Sequence, residues 1–133
     1  MTSLETAHTS RRILVVDDVM LNRKLAIAFL SRMGWQTFET DGGLAAMNWL
    51  ASNPAVDVLL LDISMPDLGG ESVCQQLRAN PAFDALKIVA YTAHVGADDS
   101  QRFLANGFNA VLIKPISSQR LKDVLAELVG LGG

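Results

Sequence analysis

Five side chains stand directly behind apolar runs, and all five are of types that handle charge. Asp17 and Asp18 follow RILVV, Asp62 follows VDVLLL, Thr92 follows LKIVAY, and Lys114 follows NAVLI and precedes Pro115. A carboxylate at the tip of a buried run is costly unless hydrogen bonds, a cation or the protein rim compensate it. Singly, each aspartate has an ordinary use: Asp17-Asp18 as a helix cap, Asp62 as a turn or N-cap residue. Together they suggest chemistry. If the runs are strands ending at one rim, the three carboxylates converge and repel unless a cation is present. Mg²⁺ suits such a set, since it takes oxygen ligands octahedrally and keeps several waters. A carboxylate beside Mg²⁺, a lysine and a hydroxyl can accept a phosphoryl group. Asp62 would be the nucleophile. The metal and Lys114 would neutralise the phosphoryl oxygens, and the Thr92 hydroxyl would donate to one of them.

The elements that must position these residues alternate along the chain. Arg12–Val16 reads as a buried strand, and Met20 to Met33 as a helix with apolar residues at Leu21, Leu25, Ala28 and Phe29, stopped by Gly34. WQTFE is a second strand, and the helix after Asp41-Gly42-Gly43 carries Ala46, Met47 and Leu50 on one face, flanked by Trp49. The run ending at Asp62 is a third strand, followed by a helix from Gly70 to Ala79 with Val73 and Leu77 one turn apart. Leu86–Tyr91, a helix Ala97–Asn106 and Asn109–Ile113 come next, and the last helix repeats Leu121, Val124, Leu125 and Leu128. Five βα units imply an α/β fold: a doubly wound, flavodoxin-like five-stranded parallel sheet, order 2-1-3-4-5, with helices on both faces. Right-handed crossovers then deliver every strand's carboxyl end to one rim.

Composition narrows the class. Of 133 residues half are hydrophobic and 19% charged, enough apolar material for one domain with a full core. A net charge of −3 argues against a nucleic-acid surface. The single cysteine, Cys74, cannot close an internal disulfide, which suits a reducing, cytoplasmic setting. No apolar run reaches the roughly 20 residues of a membrane span. Residues 1–11 read as a mobile polar leader without an apolar signal core, 12–129 as the domain and 130–133 as a tail. With so short a tail, the expectation is a domain that stands alone or one excised from a longer chain.

The set ILVVDD, LLLDISMPDLGG, IVAYTAH and LIKP, in that order, resembles the receiver domains of two-component response regulators, from Arg12 to about Val129. The resemblance implies Mg²⁺ held by Asp18 directly, by Asp17 largely through water, and by Asp62 with the Ser64 backbone carbonyl. It implies Asp62 as phosphoacceptor, Thr92 as switch hydroxyl and Lys114 as phosphate-binding lysine. Met65-Pro66 and Gly70 match the following loop, and a cis Lys114-Pro115 bond is expected to aim the ammonium at Asp62. The implied partners are a histidine kinase or histidine phosphotransfer domain and an unknown downstream protein, with no enzymatic activity beyond self-dephosphorylation. VVDDVMLNRKL resembles hybrid-kinase receivers, which often carry Asn-Arg where Asn22-Arg23 stand.

Two positions depart from the family's pattern: Val111 stands where an aromatic residue is frequent, and Ile116 where phenylalanine is common. Val111 has no ring to rotate, so the readout is expected at the rim, from Val19, Met20, the Thr92–Asp99 loop and Pro115-Ile116. His94 reads as a solvated loop residue and Cys74 as a small packed one. The positions of Ser64 and His94 are associated in the family with the lifetime of the phosphorylated form. Competing readings are a small aspartate-nucleophile phosphatase and a receiver-like interaction module that never accepts phosphate. The first usually shows DxD after its first strand; the second usually lacks an acid, the threonine or the lysine.

Overall fold

The computed structural model describes residues 11–93 and 96–130. The leader up to residue 10, His94 and Val95, and residues 131–133 lie outside the described residues. Five strands, β1 (Arg12–Val16), β2 (Gln36–Thr40), β3 (Val58–Asp62), β4 (Lys87–Thr92) and β5 (Ala110–Ile113), alternate with five helices. These are α1 (Met20–Arg32), α2 (Gly43–Ser52), α3 (Gly70–Arg78), α4 (Ala97–Ala105) and α5 (Ser118–Val129). The strands pair in parallel in the order β2-β1-β3-β4-β5, as the sequence implies.

Both sheet faces are covered, so the central strands carry apolar residues at every position between their ends. Alternate residues sort them between two cores. Leu14, Val16, Leu59, Leu61, Ile88 and Ala90 pack with α2, α3 and Phe103 of α4. Ile13, Val15, Val58, Leu60, Val89, Tyr91 and Leu112 pack with α1 and α5. The α2, α3 and α5 faces read from spacing are the buried ones: Ala46 and Leu50, Val73 and Leu77, and Leu121, Val124 and Leu125. Cys74 is buried as expected, and Trp49 stacks at a tilt on Phe38, centroids 5.0 Å apart. Gly34 ends α1 with a φ of +92°, a conformation that costs other residues strain. The Lys114-Pro115 peptide is cis.

Two expectations need correction. In α1 the inward row is Arg23, Ala26, Ile27 and Leu30, while Leu21 (77% exposed), Leu25 and Ala28 face outward. The helix is turned by Arg23, whose guanidinium hydrogen-bonds elsewhere and occupies the first inward position. Ile116, expected on an exposed rim patch, is 6% exposed and packs with Leu121 and Leu125. It is drawn in because Ser117 caps α5, its Oγ accepting from the Arg120 N–H, which turns the preceding residue onto the sheet.

The loop after β3 returns close to its own strand. A Cβ on Gly70 would stand 2.4 Å from the Asp62 carbonyl oxygen and 2.9 Å from the Ile63 Cα. Backbone cannot yield as a flexible side chain does. Gly70→Ala should therefore lower the unfolding free energy by about 2–3 kcal/mol in chemical denaturation. Gly96→Ser, at the N-cap of α4 with only Asp99 Oδ2 near among the described residues, at 3.7 Å, should be neutral or stabilising. Equal effects of the two would contradict the close approach.

Candidate functional site

At the carboxyl ends of the strands one row of side chains leaves the α1/α5 core. Asp62 is in register with Tyr91, and Tyr91 with Leu112. Val16 pairs with Leu61, so Asp17 comes next to Asp62. All of these share the parity of Val15, Leu60 and Val89, and Lys114 continues it two residues beyond Leu112. The alternation that fills the core thus brings two acids and a lysine to one face of the rim. Thr92 closes β4, one residue past the partner of Asp62, and is buried.

The carboxylates of Asp17, Asp18 and Asp62 offer ligand atoms all within 4.8 Å of one another. Asp17 and Asp62 are buried; Asp18 is exposed. Asp17 Oδ1 accepts from the Val19 N–H at 2.9 Å. Its Oδ2 meets the Lys114 ammonium at 2.9 Å, an ion pair without the alignment of a hydrogen bond. Asp62 Oδ1 accepts from Lys114 Nζ at 3.1 Å and from the Ser64 N–H at 3.3 Å. The main chain holds Lys114 as well, its N–H donating to the Thr92 carbonyl at 2.8 Å.

Burial pushes the Asp62 carboxyl up to about 6, and the neighbouring Asp17 charge adds to the rise, against the opposing pull of Lys114. Burial alone would depress the Lys114 ammonium, but its contacts with Asp17 and Asp62 outweigh that and raise it. So one cation is shared between two acids, and the balance at Asp62 remains unfavourable to its charge.

Three supporting residues carried no functional assignment in the sequence reading. Arg23 donates from Nη1 to the Asp17 carbonyl at 2.9 Å and from Nε to Glu39 Oε1 at 2.8 Å. Lys24 and Arg23 hold the Glu39 carboxyl below its usual range. Asp67 accepts from the Gly43 and Leu44 N–H groups at 3.3 and 3.2 Å, capping α2 from the loop after β3. Tyr91 lies under Lys114, whose Nζ is 4.8 Å from the ring centroid. Parity was the available signal for Tyr91, since it shares the face of Asp62 in adjacent strands.

Comparisons with known proteins bear on the family and the fold. A family model described as the response regulator receiver domain matches residues 13–126. The sensor histidine kinase RcsC of Salmonella typhi is 37% identical over 114 residues, 86% of this chain and 12% of its own length. The chain thus spans a small part of that relative. The chemotaxis protein CheY homolog of Campylobacter jejuni is 30% identical over 91% of this chain and 94% of its own. A putative response regulator from Chloroflexus aurantiacus superposes with a TM-score of 0.86 at 23% identity, covering 92% of this chain and 99% of that one, a likeness of fold.

The raised Asp62 pKa has a definite sign. Between about pH 4 and 6 the folded protein keeps a proton that the unfolded chain has released, so stability falls as pH rises through that window. In metal-free protein Asp62→Asn should therefore melt above the wild type at pH 7.5, by about 5 °C, with the gap narrowing toward pH 5. Calorimetry at both pH values checks this. A variant melting below the wild type at pH 7.5 would mean that the Lys114 pairing outweighs burial.

Proposed function

The chain belongs to the response regulator receiver domain family, and we propose that on this scaffold Asp62 accepts a phosphoryl group from a phosphohistidine. The donor is a histidine kinase or a histidine phosphotransfer domain of a two-component system or phosphorelay. An Asp62 carboxylate oxygen attacks phosphorus, the phosphorus–nitrogen bond breaks, and the electron pair leaves with the imidazole. The product is an acyl phosphate. Water attacking the same phosphorus later releases inorganic phosphate and restores the carboxylate, so the domain is a switch with self-dephosphorylation rather than an enzyme acting on other molecules.

The observation that supports this most is the shared ammonium of Lys114, 3.1 Å from Asp62 and 2.9 Å from Asp17. A partly buried lysine held between two acids can turn to the oxygens of a phosphoryl group on Asp62 without leaving the rim. The acidic cluster supplies oxygen donors only, which fits Mg²⁺ rather than a softer metal. Asp18, Asp62 and the Ser64 carbonyl would hold it, with Asp17 behind them. Bound there, it would neutralise phosphoryl charge that one lysine cannot balance. Thr92, at the end of the adjacent strand, would donate its hydroxyl to a phosphoryl oxygen.

A donor histidine has to reach this rim on a partner's surface. Val19, Met20, Leu21 and Leu25 form an exposed apolar stripe beginning right after the acid pair. Such a stripe suits a helical partner. The readout stays with the rim, through Val19, Met20, Pro115 and the loop from Thr92 to Asp99, without Ile116. No described helix is long and apolar enough to cross a membrane, and a histidine-to-aspartate relay fed by ATP places the domain in the cytoplasm.

Incubation with Mg²⁺ and acetyl phosphate, followed by intact mass measurement, tests the assignment. Wild type should gain one phosphoryl group and Asp62→Asn none. Asp18→Ala should respond to Mg²⁺ at least about tenfold more weakly. A wild type that gains no mass would leave the interaction-module reading, and full incorporation by Asp62→Asn would move the acceptor elsewhere.

A further inference from the structure

Lys114 has a long way to reach. It leaves the chain just after β5, yet its ammonium rests on Asp62 of β3 and on Asp17, the residue after β1. Strand β4 lies between, and neighbouring strands are about 4.8 Å apart, so the side chain must cross a whole strand. The residue it crosses is Tyr91. In register, Tyr91 sits between Asp62 and Leu112 and shares their face. Its ring is 1% exposed, so it cannot swing away from beneath the lysine.

The ammonium stands 4.8 Å from the ring centroid, within the roughly 6 Å reach of a cation–π attraction. Lys114 is one of three described cations over a ring; the other two are arginines, on Phe38 and Phe103. Arg102 also pairs with two carboxylates, but Glu71 and Asp99 stand at the surface, whereas Lys114 combines a ring beneath with two buried carboxylates ahead. An aliphatic side chain at 91 would leave part of the ring's volume empty and would offer no negative face to the cation. Burial, with the Asp17 and Asp62 charges, pushes the phenol up to about 12, so the ring stays a neutral phenol.

We propose that Tyr91 is a positioning residue: its ring is the floor that holds the Lys114 ammonium level with Asp62 and so sets how tightly the site grips a tetrahedral phosphate-like group. The geometric half of this stands on the contact alone; the binding half rests on Lys114 as a phosphoryl ligand. A purely structural Tyr91 would affect stability but not the electronic surroundings of Lys114.

NMR of metal-free protein reads the first half. Ring currents should move the Lys114 ε-CH₂ protons upfield from their random-coil position in wild type and in Tyr91→Phe, but not in Tyr91→Met. Affinity for beryllofluoride with Mg²⁺ reads the second half. Tyr91→Phe should bind within about twofold of wild type, and Tyr91→Met about three- to tenfold more weakly. A folded wild type without the upfield shift overturns the proposal, whatever the variants do. So does a Tyr91→Phe protein as weak as Tyr91→Met, which would assign the effect to the hydroxyl. If wild type binds no beryllofluoride, the phosphoryl reading fails, and the Lys114 shifts still decide the floor.

Discussion

Two buried carboxylates held side by side, with one ammonium between them, are the constraint on which this rim depends. Parallel register brings Asp17 beside Asp62 because β1 and β3 are neighbours, and the placement is unfavourable by itself, as the raised Asp62 pKa records. Lys114 provides the compensating charge from the far side of β4. Much of the surrounding structure fixes that triangle. Arg23 fastens the Asp17 main chain and Glu39 of β2 to α1; the Thr92 carbonyl anchors the Lys114 backbone; the Ser64 N–H steadies Asp62.

The strands and their chemical ends were readable because each apolar run is interrupted by a charged or hydroxyl side chain, which a buried strand does not carry by chance. Helices α2, α3 and α5 were readable because packing alone decides their inward faces. Helix α1 was not. Its spacing pointed to Leu21, Leu25 and Ala28, but Arg23 claimed the inward row through two hydrogen bonds to distant groups. A spacing rule counts apolar residues and cannot anticipate a polar one whose partners lie just past β1 and on β2. Ile116 was misread for a related reason: its burial depends on the cap that Ser117 gives α5, a contact between neighbours that hydropathy does not show. Tyr91 was hidden in plain view, since an aromatic residue in an apolar strand reads as core.

The described segments on the two sides of Asp62 are held by different kinds of contact. The loop after β3 is tied at both ends. Asp67 caps α2 across it, the Gly70 N–H donates to the Ile63 carbonyl at 3.0 Å, and Gly70 lies against the Asp62 main chain with no room for a side chain. On the other side of Asp62, α4 is joined to α3 by Arg102 with Glu71, whose side chains are 49% and 40% exposed. Ion pairs so exposed are worth about 0–1 kcal/mol and weaken in salt.

That difference decides where a change at Asp62 can travel. A phosphoryl group there would add negative charge where the Lys114 ammonium is already divided between two acids. Lys114 would have to turn from Asp17 toward the new oxygens, and the cation taking its place beside Asp17 and Asp18 would come from solvent. Population shift needs an element with two arrangements of similar energy. The β3–α3 loop has too many backbone ties to supply one. Val111 has no ring to rotate, and its short branched side chain holds essentially one rotamer. Helix α4 remains: it follows β4, which ends beside the site, and its ion pair with α3 is exposed and weak. Motion there would reach the surface next to the apolar stripe of α1 and the Lys114-Pro115 turn, so the same rim that receives the phosphoryl group would display that it has been received.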